Sequence, residues 1–126
     1  EEWLRAGLEW EAAGRIGRAL TSYRRIHALE HEARFLTKMG RWAGAGKTYL
    51  QARRFDDALA AYIRCDDVLG QTEALRGLGQ IKEAARLLEE RGYFVQAAKC
   101  FEELDMPEEA ARCNTTARRS RSRRSR

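Results

Sequence analysis

Every thirteenth residue of this chain restarts the same pattern. From residue 1 the units read EEWLRAGLEWEAA, GRIGRALTSYRRI, HALEHEARFLTKM, GRWAGAGKTYLQA, RRFDDALAAYIRC, DDVLGQTEALRGL, GQIKEAARLLEER, GYFVQAAKCFEEL and DMPEEAARCNTTA, without insertion or deletion. The third place holds Trp3, Ile16, Leu29, Trp42, Phe55, Val68, Ile81, Phe94 and Pro107. The tenth holds Trp10, Tyr23, Leu36, Tyr49, Tyr62, Leu75, Leu88, Phe101 and Asn114. The sixth is alanine in seven of the nine units. Large, small, large at this spacing is the apolar stripe of a short helix.

Each unit therefore predicts one helix of roughly 10 residues, about 15 Å long, closed by a tight turn. Glycine at the first place (Gly14, Gly40, Gly79, Gly92) suits the left-handed conformation that ends a helix. Asp105 with Glu108 has the spacing of a capping box, and Pro107 fits a first helical turn. The sixth-place alanines allow close backbone approach between helices. Helices this short are not stable alone in water, so they must stack on their neighbours. The expected fold is an all-α solenoid of about nine short antiparallel helices. Glu32 and Gln71 replace the sixth-place alanine, which predicts looser packing there or a face turned outward. Asn114 interrupts the stripe, so the ninth helix is expected to fray or to act as a cap.

Composition is that of a folded body, with 44% hydrophobic and 34% charged residues. The formal charge of +5 belongs to one end. Residues 118–126 hold six arginines and no acid; without them the chain carries 18 basic and 19 acidic residues, a net of −1. The expected organisation is a helical array over 1–117 followed by an Arg/Ser-rich tail over 118–126. No apolar run approaches the ~20 residues of a membrane span. The chain opens inside a helical pattern without an initiator Met, which reads as a piece of a longer protein. Cys65, Cys100 and Cys113 form no CxxC pair and read as small buried hydrophobes in a reducing, intracellular setting, the cytoplasm first and the nucleus as the alternative.

Trp3, Gly7, Trp10, Ala19 and Tyr23 share their spacing with Trp42, Gly46, Tyr49, Ala58 and Tyr62. The set resembles the signature of the tetratricopeptide (TPR) family, W-x3-G-x2-aromatic followed by A-x3-aromatic. The resemblance implies antiparallel helix pairs that stack into a superhelix and bind protein segments. The two sets lie 39 residues apart, against the 34 of that family, and the closing proline is missing. The 13-residue unit, a shorter pitch per helix than half of a 34-residue repeat, is more similar to the TPR-like arrays of transport-coat and trafficking subunits. The positions that carry a carboxylate clamp in some TPR proteins hold Leu4, Leu8, Ala43 and Lys47 here; only Lys47 has a suitable side chain, so no clamp is carried over.

Two motifs suggest chemistry. Gly44-Ala45-Gly46-Lys47-Thr48 resembles the end of a phosphate-binding loop, but the outer glycine of that motif falls on Arg41 and no strand precedes it. His27-Ala28-Leu29-Glu30-His31 matches H-x-x-E-H, yet it opens a helical unit and reads as two solvent-facing histidines near a turn. No Ser/His/Asp or Cys/His set stands out. The aromatic stripe is read as core, not as a base-stacking platform.

The reading that follows is a non-catalytic protein–protein interaction scaffold or adaptor with no catalytic residue, metal or cofactor. Lys47, Arg41 and Glu11 flank the TPR-like packing positions and are the partner-binding candidates. The alternative is a nucleic-acid-associated module, in which Arg118, Arg119, Arg121, Arg123, Arg124 and Arg126 contact phosphate or an acidic protein. That tail reads either as a solvated extension or as a continuation of the last helix. It also resembles RS-type segments, whose serines Ser120, Ser122 and Ser125 would change charge on phosphorylation.

Overall fold

The computed structural model describes residues 2–124. Among them are nine α-helices and no strand: α1 (Glu2–Ala12), α2 (Ile16–Arg25), α3 (Leu29–Lys38), α4 (Trp42–Gln51), α5 (Phe55–Arg64), α6 (Val68–Gly77), α7 (Ile81–Glu90), α8 (Phe94–Glu103) and α9 (Pro107–Arg124). Helices α2 to α8 are ten residues each and start on the third place of their unit.

The turns repeat as strictly as the helices. Every first-place residue from the second unit on has a positive φ: Gly14, Gly40, Gly79 and Gly92 at 72–85°, and His27, Arg53, Asp66 and Asp105 at 53–60°. The second-place N–H then reaches back to the tenth-place carbonyl of the preceding unit, as in Arg15 to Trp10 (2.8 Å), Arg54 to Tyr49 (2.8 Å) and Tyr93 to Leu88 (2.8 Å). The first-place N–H donates to the eleventh-place carbonyl, as in Gly14 to Glu11 (3.0 Å). This is the Schellman closure of a helix. The second-place carbonyl in turn accepts the first bond of the next helix, for example from Ala97 N–H to Tyr93 (2.9 Å). One residue thus ends one helix and starts the next.

The capping-box expectation at Asp105 fails for this reason. Asp105 is the left-handed residue that closes α8, its N–H bonded to the Glu102 carbonyl at 3.0 Å. Pro107 does open α9. From α2 to α8, a side-chain cap forms only at α6, where Asp67 accepts from the Gly70 N–H at 3.0 Å.

The chain divides between Asp66 and Asp67 into two compact units. In the first, α1 packs on α2, α3 on α4, and α4 on α5, while α2 and α3 meet over a smaller area. Pairing is antiparallel: Arg25 lies over the Trp3 ring (4.5 Å) and Arg18 over Trp10 (4.7 Å), so the end of α2 meets the start of α1. Ala19, Leu20, Tyr23, Phe35, Leu36 and Ala45 are the buried centre. The TPR-like spacing has a physical counterpart here. The Tyr23 ring lies where a β-carbon on Gly7 would stand, 2.6 Å from its Cε1, and the Tyr62 ring occupies the same place against Gly46, at 2.8 Å. Trp3 departs from the expected core stripe, being 44% exposed beneath Arg25.

In the second unit α6 to α9 pack in sequence around Val68, Leu88, Ala97, Cys100, Phe101 and Cys113. Cys100 and Cys113 are buried as expected; Cys65, at the last turn of the first unit, is exposed. Helix α9 does not fray at Asn114. It runs unbroken to Arg124, across the 117/118 composition boundary. Within each unit a charge pair spans alternate helices in matching register: Lys38 to Glu11 at 2.9 Å and Arg76 to Glu103 at 3.0 Å join an eleventh place to a twelfth place two units on.

Candidate functional site

Glu32 is the residue from which the candidate site is built. Its unit calls for alanine at that place, where Ala19, Ala45 and Ala58 are fully buried. Glu32 is also turned inward, with only 4% of its surface exposed. The outward-facing alternative is therefore wrong for Glu32, and equally for Gln71 in the second unit, which is buried too. The looser packing occurs on one side only: α3 meets α2 over the smallest area among neighbouring helices of the first unit, but packs on α4 as closely as α1 does on α2.

A buried carboxylate needs partners. Arg24 Nε of α2 donates to Glu32 Oε1 at 2.6 Å, and the Thr48 hydroxyl of α4 lies 3.3 Å from Oε2. Thr48 also bonds the Gly44 carbonyl one turn earlier, at 2.9 Å. Larger than alanine and tied to both neighbours, Glu32 stands in an open crevice of about 440 Å³ lined by Arg24, Glu32, Leu36, Arg41, Gly44, Lys47, Thr48 and Gln51. Two of the sequence-derived candidates, Arg41 and Lys47, meet there. Both are exposed, and among the described residues neither has an acidic partner. Counting Arg24 and Glu32 as a neutral pair leaves the crevice with a charge of +2 from Arg41 and Lys47.

Glu11 sits elsewhere and is occupied. Tyr23 Oη donates to its Oε1 at 2.6 Å and Lys38 Nζ to its Oε2 at 2.9 Å. Burial acts to raise the Glu11 pKa, but the hydrogen bonds from Tyr23 and Lys38 and the charges of Lys38 and His31 outweigh it, so the carboxyl titrates below its ordinary 4.5. Burial, then the Glu11 bond and charge, push the Tyr23 hydroxyl well above the usual range. Glu11 ties α1 to α2 and α3 from within.

The phosphate-loop look-alike forms part of helix α4, and Gly46 faces the Tyr62 ring there. The H-x-x-E-H residues separate by role. His27 is the exposed left-handed turn residue, Glu30 pairs with Arg54 (3.2 Å), and His31 is not solvent-facing but half-buried, stacked on Tyr23 at 5.6 Å. Among the described residues no three His, Cys, Asp or Glu side chains converge as metal ligands. Burial, with Glu89 beside it, pushes the Cys113 thiol up to about 11, the reverse of an activated thiolate.

In the second unit Arg118, Arg119, Arg121, Arg123 and Arg124 project from the C-terminal half of α9, while Arg126 and Ser125 lie outside the described residues. Ala117, Ser120, Arg121 and Arg124 share one face of α9 and line a groove of about 380 Å³ with Arg91, Tyr93 and the first turn of α8. No helix among the described residues is long and apolar enough to cross a membrane. No family model, curated protein or solved structure matches this chain.

Arg24, Glu32, Thr48 and Gln51 were not read as site residues from sequence. The signal was present for one of them: Glu32 is the acid that interrupts a column of alanines.

Proposed function

We propose that this chain is a non-catalytic protein-interaction scaffold built of TPR-like helical repeats. The supporting observation is the recurrence of one interlock, Tyr23 on Gly7 and Tyr62 on Gly46, at the spacing that the TPR resemblance rests on. Groups that could have carried chemistry are here committed to packing: both buried cysteines and Tyr23, with Gly46 of the phosphate-loop look-alike held against the Tyr62 ring. A rigid helical array offers a preformed surface, so a partner segment binds it with little ordering cost in the scaffold. Arg41 and Lys47, exposed in one crevice and without an acidic partner among the described residues, are available to contact such a segment, in a reducing intracellular setting consistent with the free thiols.

The test is selection of a displayed peptide library against the purified chain. Enrichment of peptides that compete with one another for a single surface supports the scaffold. No enrichment, alongside turnover of a nucleotide or ester substrate, overturns it.

One observation favours a second reading. The arginines at 118–124 form the continuous end of a helix, presenting a dense positive surface to phosphate. If the intact chain shifts RNA or DNA at low salt and deletion of 118–126 abolishes the shift, the nucleic-acid reading gains; if the intact chain shifts neither, it fails.

A further inference from the structure

The crevice beside Glu32 carries more than a generic contact surface. We propose that it is a dianion site, and that its occupant is a phosphoserine or phosphothreonine of a partner segment. This inference rests on the scaffold reading and specifies the partner's chemistry.

Three observations combine. The crevice is open and holds about 440 Å³, enough for a phosphoryl group and the residue that bears it. Its three cations come from two helices: Arg24 on α2, and Arg41 and Lys47 at the start and middle of α4, with Arg24 anchored through Nε on buried Glu32. That bond fixes the Arg24 guanidinium while leaving its two terminal nitrogens outside the pairing, a preorganised donor fork. The residual charge of +2 matches a phosphate monoester, which carries about −2 near neutral pH, better than a single carboxylate or a phosphodiester at −1. Gly44 presents bare backbone in the first turn of α4, and the Gln51 amide adds a neutral donor. Glu32 is the one anion lining the site; with Arg24 on one oxygen and Thr48 near the other, it serves as the anchor of the cations.

The test follows amide signals of the ¹⁵N-labelled chain while probes are added. The probes are phenyl phosphate, dimethyl phosphate, adenosine monophosphate, oligouridine, and a short glycine peptide with a central serine, phosphorylated or not. The expected result is saturable shifts at Gly44 and Thr48 with phenyl phosphate and the phosphopeptide. The unphosphorylated peptide and dimethyl phosphate should bind at least tenfold more weakly. The double variant Arg41→Ser, Lys47→Ser should weaken phosphopeptide binding at least tenfold. Arg118→Ser, Arg119→Ser, in the other unit, should change it less than twofold. Both variants alter exposed side chains, so folding is preserved.

Absence of shifts at Gly44 and Thr48, or an unchanged double variant, overturns the proposal. So does tighter binding there of oligouridine or adenosine monophosphate than of the phosphopeptide. Library peptides whose binding ignores Arg41 and Lys47 would also overturn it, while leaving the scaffold reading intact.

Discussion

The Tyr62 ring fills the space that a side chain on Gly46 would need: a β-carbon there would stand 2.8 Å from Cζ. Gly17, also within a helix, has nothing within 4 Å of the same position. One substitution at the two sites should therefore act with opposite sign. Gly46→Ala must displace the ring or part α4 from α5, and should lower stability by about 1–3 kcal/mol. Gly17→Ala meets no obstacle and should raise it by roughly 0.5–1 kcal/mol through backbone entropy alone. Urea unfolding midpoints of both variants check this, and equal effects would refute the interlock.

Ala97 tests the same logic in the second unit. It is fully buried at the sixth place of α8. Ala97→Leu adds methylenes where helices meet through alanine and should cost about 1–3 kcal/mol. A thermal midpoint equal to that of the parent would count against stacked helices there.

His27 has a φ of 53° and is exposed. A side chain in the left-handed region costs roughly 1 kcal/mol relative to glycine, and four sister turns already use glycine. His27→Gly should raise stability by about 0.5–1 kcal/mol, allowing for the extra freedom of glycine in the unfolded chain. Calorimetry showing a loss would mean that His27 makes a contact beyond its turn.

Glu11 sets an acid limit on the first unit. Its folded pKa lies below the ordinary 4.5, so the unfolded chain takes up its proton first. The stabilisation from Glu11 is complete above that ordinary value and is lost as pH falls through the folded one. The advantage of the parent over Glu11→Gln should be constant from pH 6 to pH 7 and shrink steadily toward pH 3. A pH-independent difference in denaturant midpoint would show that the carboxylate charge contributes nothing.

The fold was legible because one period governs both helix and turn. Side chains at the third, sixth and tenth places encode the buried face, and the first-place glycines mark the turns. Reading Asp105 as a cap went wrong because the turn is built by backbone geometry. The left-handed residue need not be glycine, as His27, Arg53, Asp66 and Asp105 show, and the helix that follows starts two places later. Cys65 misled by its residue type: it falls in a turn, outside the buried face. The unbroken end of α9 was one of two readings of its composition, because arginine is a good helix former while serine is only fair.

The crevice was less visible. Arg41 and Lys47 were found because they flank the TPR-like positions. Arg24 and Thr48 were not, because they enter through a side chain that breaks the pattern. An acid in an alanine column reads equally well as a face turned outward; that Glu32 turns inward depends on donors 8 residues before it and 16 after. Such pairing depends on tertiary packing and has no local signature.

The thirteen-residue period is most directly tested by backbone NMR of the intact chain, using ¹³C secondary shifts with HN–Hα couplings. The account predicts eight left-handed residues, at 14, 27, 40, 53, 66, 79, 92 and 105, with helical shifts on both sides of each. Continuous helical shifts through any of these positions, or a change of spacing between them, would contradict it.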